Sequence, residues 1–354
     1  MEIKKFISII TAAAILFAAA FMLPSCKKEQ TDNTTTEGSS ETETQDIDVP
    51  GLTDPLTGQT GYDEKYENSK PIGIVVENHP KARPQWGFTT PDIVMEYEVE
   101  GGISRMLWLY SNADKVPEKV GPVRSARHDI VELAIGMDML FVHCGGSDMA
   151  LNMIKQHRGT LSEIDGLTYD GCFYRDKSRG VSTEHTLVLT GSGLRQSIAD
   201  LGLETQVDPA YKKPFSFEKR TLNGNDCTSI HFEYSSSYKY DFTFNETAGK
   251  YNPKINGTPC TDENRNECSY TNVLILYVQM ADMHDSSGHQ DLLLQNGGKG
   301  VYISGGKLEE ISWTKGETTD KLQLLSADGS PLTLNPGNSY IGFVRSTQQG
   351  KSIY

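Results

Sequence analysis

Apolar and polar positions divide the chain into zones of different character. Ile7 to Phe21 is a mostly apolar run after a short basic start at Met1–Lys5, and it closes on Leu23-Pro24-Ser25-Cys26. Lys27 to about Pro50 is almost purely Thr, Ser, Glu, Asp, Gln and Asn. From about Lys70 the pattern changes to short apolar runs broken by turn residues. Pro71–Val76 reads as a buried strand, Asp92–Val99 alternates as a strand, and Ser104–Tyr110 reads as another buried strand. Ser125–Leu140 has Ile130, Leu133, Ala134 and Met137 at helical spacing, Leu140–His143 is strand-like, and Asp148–Gln156 and Ser192–Leu201 read as helices. Beyond about Asp208 only short alternating runs remain, at Phe215–Phe217, Ser229–Tyr234, Tyr238–Phe244, Asn272–Met280, Gly300–Ser304, Lys307–Trp313 and Tyr340–Val344. Asn-Gly, Gly-Gly, Asp-Gly and Pro-Gly separate them, as in hairpins. The expected fold class is α+β, an N-terminal mixed α/β domain over 70–205 followed by a mainly antiparallel β domain over 206–354. A chain of this length suits two cores, with a junction near residues 203–212.

The first zone has the layout of a secretory signal peptide over 1–25. Leu-Pro-Ser-Cys resembles a bacterial lipobox, so Cys26 is expected to carry the lipid after cleavage. Two or more acyl chains exceed the affinity of one and give stable attachment. The protein should therefore lie outside the cytoplasm, anchored by lipid on Cys26 to the outer leaflet of the bacterial cell membrane. Residues 26–69 would form a disordered acidic tether, because their composition cannot bury enough apolar surface to offset ordering.

Charge narrows the partners. The chain carries a formal −14, and residues 27–70 hold eleven acids against four lysines, so about half of the acidity is tether. No basic field exists for nucleic acid or an anionic lipid surface. With Cys26 lipidated, Cys144, Cys172, Cys227, Cys260 and Cys268 remain, an odd number outside the cell. Cys260 and Cys268 bracket a polar loop where a bridge is feasible. The spacing of Cys and His shows neither Cys-x-x-Cys nor His-x-x-x-His. No metal and no cofactor is expected.

Candidate chemistry gathers in the first half, where seven of the eleven arginines, Arg83, Arg105, Arg124, Arg127, Arg158, Arg175 and Arg179, fall within fewer than a hundred residues. Arg124 and Arg127 lie at a helix start, where free amides and the dipole favour an anion. Gly145-Gly146-Ser147 leaves a strand and opens a helix, a second place for backbone amides to cradle an oxyanion. Glu96, Glu98 and Glu100 sit two apart and would share one face of a strand. The bland readings are solvated arginines, a wet strand edge and an ordinary strand-to-helix turn. Cys144 beside His143 invites a nucleophile reading, but adjacent strand residues point to opposite faces.

Glu77-Asn78-His79-Pro80-Lys81-Ala82-Arg83-Pro84-Gln85, Glu100-Gly101-Gly102-Ile103-Ser104-Arg105, Gly121-Pro122-Val123-Arg124-Ser125-Ala126-Arg127, Gly145-Gly146-Ser147 and Tyr174-Arg175-Asp176 closely resemble the YerB-like family of bacterial lipoproteins. The likeness runs on through Asn272-Val273, Gly298-Lys299-Gly300, Gly305-Gly306-Lys307 and Leu334-Asn335-Pro336-Gly337. It implies a two-domain α+β fold and an envelope location, and it carries no catalytic residue over. The Cys260–Cys268 loop departs from the family pattern.

Two functions follow from the residues. One is a noncatalytic binder of an anionic cell-envelope component, such as a cell-wall polymer, through Asn78, His79, Arg83, Arg105, Arg124, Arg127, Gly145, Gly146, Ser147 and Arg175. The other is an envelope hydrolase or transferase with a Glu general base and arginines stabilising developing charge. Binding is preferred, because no nucleophile–base pair is visible in the sequence. An envelope protein is a further possible partner.

Overall fold

A computed structural model describes residues 51–211 and 213–354. The expected signal peptide, Cys26 and the part of the expected tether up to Pro50 lie outside the described residues.

The first half places β1 (Ile72–Glu77), β2 (Ile93–Glu98) and β3 (Ser104–Tyr110) before α1 (His128–Gly136). Then come β4 (Leu140–His143), α2 (Asp148–Gln156), β5 (Ser162–Asp165) and α3 (Gly191–Asp200). The second half adds β6 (Ser229–Ser235), β7 (Tyr238–Asn245), β8 (Lys250–Ile255), β9 (Asn272–Val278), β10 (Gly298–Ser304), β11 (Lys307–Thr314), β12 (Gln323–Ser326) and β13 (Ser339–Arg345). Strand residues far outnumber helical ones. α1 starts three residues later than its periodicity predicts, because the residues before it are spent on bridges: Val123 pairs with Val76 and Ala126 with Gly146.

One eleven-stranded sheet runs through both halves in the order β12-β11-β10-β9-β13-β2-β3-β1-β4-β5, with Asn225–Asp226 added on β11. Its join is β13, the last strand of the chain, which lies parallel both to β9 and to β2. The mainly antiparallel pattern expected for the second half therefore holds for β9 to β12 but not for β13. Nothing local to Tyr340–Val344 reveals a partner some 240 residues earlier. A second antiparallel sheet of β6, β7, β8 and Thr258–Pro259 covers one face of the large sheet.

The expectation of two separate cores also gives way. On one face, Ile74, Val94, Trp108 and Val142 of the first half pack with Phe232, Tyr240, Ile275 and Ile303 of the second. On the other, Val75, Met95, Leu107 and Phe141 share a core with Leu274, Tyr302 and Phe343 under α1 and α2. A continuous sheet makes its two faces, rather than its two halves, the units of burial.

Residues 51–69 are folded rather than part of the tether. Leu56 is buried in the α1-side core. Asp54 accepts from Ser111 Oγ at 2.6 Å and from Lys115 Nζ at 2.9 Å. Gly337 N donates to the Thr57 carbonyl at 2.7 Å. Asp54, counted as solvated charge in the sequence, is a buried acid with a lysine partner.

Glu96 bolts the second sheet down. It is fully buried, and Asn78 Nδ2 (2.8 Å), Tyr240 OH (2.7 Å), Tyr340 OH (2.8 Å) and Ser104 Oγ all donate to its carboxylate. Four donors drawn from β7, β13 and the β1–β3 region thus meet on one acid, satisfying what burial would otherwise leave costly. The bridge considered for Cys260 and Cys268 is not formed: both are buried free thiols, and Cys268 Sγ donates to the Phe88 carbonyl.

Candidate functional site

The carboxyl ends of the parallel strands β1, β4 and β5 finish at Glu77, His143 and Asp165, the end of such a sheet where ligands commonly bind. Register sets the first row of the site. Glu77 lies opposite Arg105, and Arg105 opposite Tyr97, so three polar residues of β1, β3 and β2 sit side by side beneath the start of α1. All three are buried.

The loop before α1 supplies the cover. Arg124 Nε lies 3.2 Å from Glu77 Oε1, and its Nη2 is 3.5 Å from Glu184 Oε2. His185 Nδ1 pairs with the other Glu77 oxygen at 2.9 Å, and the His79 ring stacks on His185 at 4.9 Å. Burial and then the neighbouring His185 hold the His79 imidazole below its ordinary value. Arg127 clamps Glu100 with Nε at 3.1 Å and with Nη2, while Arg105 Nη2 approaches the same carboxylate at 3.6 Å. Burial would raise Glu100, but Arg127 and Arg105 outweigh it, and the carboxyl sits below the usual glutamate range. Arg105 also donates to the Ser125 carbonyl at 2.9 Å.

The three glutamates expected on one face are therefore separated. Glu96 and Glu98 stay on β2, but the chain turns through Glu100–Gly102 and sends Glu100 to the α1 side. Glu98 pairs instead with Arg345 Nε at 3.4 Å.

The Gly145-Gly146-Ser147 turn packs against this cover. Ala126 N donates to the Gly145 carbonyl and Ser147 N to the Ala126 carbonyl. Gly145 adopts φ +67°, and an added Cβ would meet Leu167 Cδ1 at 2.7 Å, so the position needs glycine. Its amide, expected to cradle an anion, donates to Asp165 Oδ1 at 2.6 Å. Ser147 Oγ accepts from Ala150 N as the N-cap of α2. His143 is fully buried, with Nδ1 on the Gly145 carbonyl and Nε2 on Glu163. Cys144 is half-buried: burial, then Asp165, push its thiol up, while Arg175 and Arg124 pull the other way.

The sequence-predicted residues thus part company. Arg105, Arg124, Arg127 and Gly145–Ser147 come together, with Arg175 near them across Cys144. Asn78 and Arg83 go to the opposite face, where Arg83 donates to Asn78 Oδ1 at 2.9 Å and its guanidinium lies over Tyr238. Within the cluster Arg105 and Arg127 are buried, Arg124 is partly exposed and Arg175 is exposed, held by a bond to the Thr183 carbonyl at 2.7 Å. Glu77 is the residue the pattern underrated. A carboxylate closing a buried β-branched strand is the signal that could have marked it.

Comparison with known proteins identifies the family of the chain. Residues 56–204 match the N-terminal domain, and residues 230–341 the C-terminal domain, of a protein of unknown function designated DUF3048. A Bacillus subtilis relative named as a lipoprotein, YerB, is 30% identical over 299 residues, covering 82% of this chain and 85% of its own. The crystal structure of YerB from Bacillus subtilis superposes with a TM-score of 0.74 at 28% identity, over 85% of this chain and 99% of that one. With both domains matched in order and a relative aligned over most of its length, the chain belongs to the DUF3048 family.

Proposed function

We propose that this protein is a lipoprotein anchored through Cys26 outside the cytoplasmic membrane, and that it binds an anionic component of the cell envelope at the surface of Arg124 and Arg175. The lipid anchor is supported by the lipobox-like Leu23–Cys26 and by a relative named as a lipoprotein. The observation that carries the binding reading is the division among the arginines. Arg105 and Arg127 are locked on Glu100, whereas Arg124 and Arg175 stand at the solvent side of the same cluster. Glu77 fixes Arg124 from behind, which lowers the entropy that a phosphate or carboxylate must overcome to engage its fork. His79 and Cys144 border the patch.

The hydrolase or transferase reading finds less support. Glu96 is fully buried under four donors, and Glu98 and Glu100 are held by arginines. Cys144 is shifted away from the thiolate that nucleophilic attack requires.

Two experiments test the proposal. Labelled fatty acid should enter the protein in a bacterial host and not the Cys26→Ala variant. The purified protein should co-sediment with phosphate-bearing wall polymer in low salt and release it as salt rises, since exposed charge pairs are screened. Salt-independent retention, or retention on a neutral glycan alone, would remove the anionic reading.

A further inference from the structure

His128, Asp129 and Asp291 meet on the α1 side of the sheet, outside the arginine patch. His128 and Asp129 open α1, and both are buried. Asp291 lies 163 positions beyond His128, on the hairpin formed by Met280–Asp282 and Gln290–Leu292. His128 Nε2 is 3.2 Å from Asp129 Oδ1 and 3.1 Å from Asp291 Oδ1, and one ligand atom of each residue lies within 4.8 Å of the others. Around an ion with bonds of about 2.0–2.2 Å, neighbouring ligands lie roughly 2.9–3.5 Å apart, and the two His128 separations fall in that range.

We propose that His128, Asp129 and Asp291 bind a divalent transition-metal ion of the Zn2+ or Mn2+ class, which fastens the 280–292 hairpin of the second half onto α1 of the first. One imidazole and two carboxylates are a donor set for those ions, and too few oxygens for Ca2+. The positive end of the helix opposes a cation with about half a charge, which two carboxylates exceed. Asp129 Oδ1 also accepts from Leu292 N at 2.8 Å, so the hairpin backbone already holds one ligand in place, as a second shell does at metal sites. A separate observation points the same way. The Tyr97 hydroxyl, in the core under α1, is buried without a hydrogen-bond partner. Three protein ligands leave coordination positions for water. Asp291, a third exposed at its side chain, gives the ion a way in.

A protonated His128 shared between the two aspartates would use the same contacts, so uptake is the deciding readout. The purified full chain, stripped with chelator, is titrated with Zn2+ and with Co2+ as a spectroscopic probe, and its melting is followed in parallel. The expected result is about one equivalent bound, visible Co2+ absorption, and a melting temperature raised by Zn2+. Asp291→Asn and His128→Ala should each weaken Zn2+ affinity at least about tenfold, the equivalent of about 1.4 kcal/mol. His289→Ala, which breaks the exposed His289–Asp285 pair, should leave affinity unchanged. No uptake, uptake unaltered by Asp291→Asn, or uptake lost only in His289→Ala would each overturn the site. Asp291→Asn keeps the test decisive should His128→Ala fail to fold, because its side chain is the most exposed of the three.

Discussion

Replacing Glu100 with alanine removes the carboxylate shared by Arg105 and Arg127. Both arginines are buried, and Glu100 itself is 26% exposed. Removing one partner of a buried pair costs about 3–5 kcal/mol, because the remaining charge is left uncompensated. Partial exposure of Glu100 puts the expected loss near the lower end, about 3 kcal/mol. An exposed pair such as Arg195–Glu118, with side chains 37% and 62% exposed, should lose far less when Glu118→Ala is made, even though Glu118 also accepts from Ser192 N and Oγ. Urea unfolding of the two variants beside the parent measures both. In an Arg127→Ala background Glu100→Ala should cost clearly less, since one of the stranded charges is already gone. The pH dependence carries a sign. The folded Glu100 carboxyl is depressed, so its contribution is complete above the unfolded glutamate value of about 4.3. It is lost as pH falls through the lower folded value, where the parent and Glu100→Ala should converge. A loss at neutral pH no greater than that of Glu118→Ala would refute the reasoning.

Other expectations follow from the same packing. Glu96 is raised by burial, so its folded state favours the proton. Its contribution is greatest below the unfolded value of about 4.3 and declines as pH rises through the raised one. Urea unfolding of Glu96→Gln should therefore lack the parent's fall in stability as pH rises above about 4.3, and an identical pH slope would contradict that. Leu56→Ala should cost about 2–5 kcal/mol in thermal or urea unfolding, since Leu56 is in the core, and a neutral effect would return residues 51–69 to the tether.

Much of the architecture was legible in local pattern. The α2 and β3 spans coincide with their predicted limits, because apolar period and flanking turn residues agree there. β5 was not legible: Ser162–Asp165 is a four-residue run of mostly polar residues, given strand form only by pairing with β4. The place of β13 was equally hidden, because strand order is set by which apolar faces meet and not by the composition of one strand. The site shows the same division. The arginine cluster could be found from residue type and loop position. Which arginines face solvent depended on Glu77 and Glu100, and on the turn at Gly101, where φ +74° lets the chain carry Glu100 across the sheet. Asp54 and Leu56 were masked by the acidic composition around them.

The central claim is that Arg124 and Arg175 form the contact for an anionic envelope component while Arg105 and Arg127 only support it. It is tested most directly by the affinity of a phosphate-bearing wall polymer for the parent, Arg124→Ala, Arg175→Ala and the distant exposed Arg158→Ala, with unfolding curves recorded for each. Bonds to charged groups are worth about 1.5–3 kcal/mol, so each of the first two variants should lose at least about tenfold in affinity. Arg175→Ala should do so at unchanged stability, and Arg158→Ala should bind as the parent does. Unchanged affinity in both Arg124→Ala and Arg175→Ala, or an equal loss in Arg158→Ala, would contradict the account.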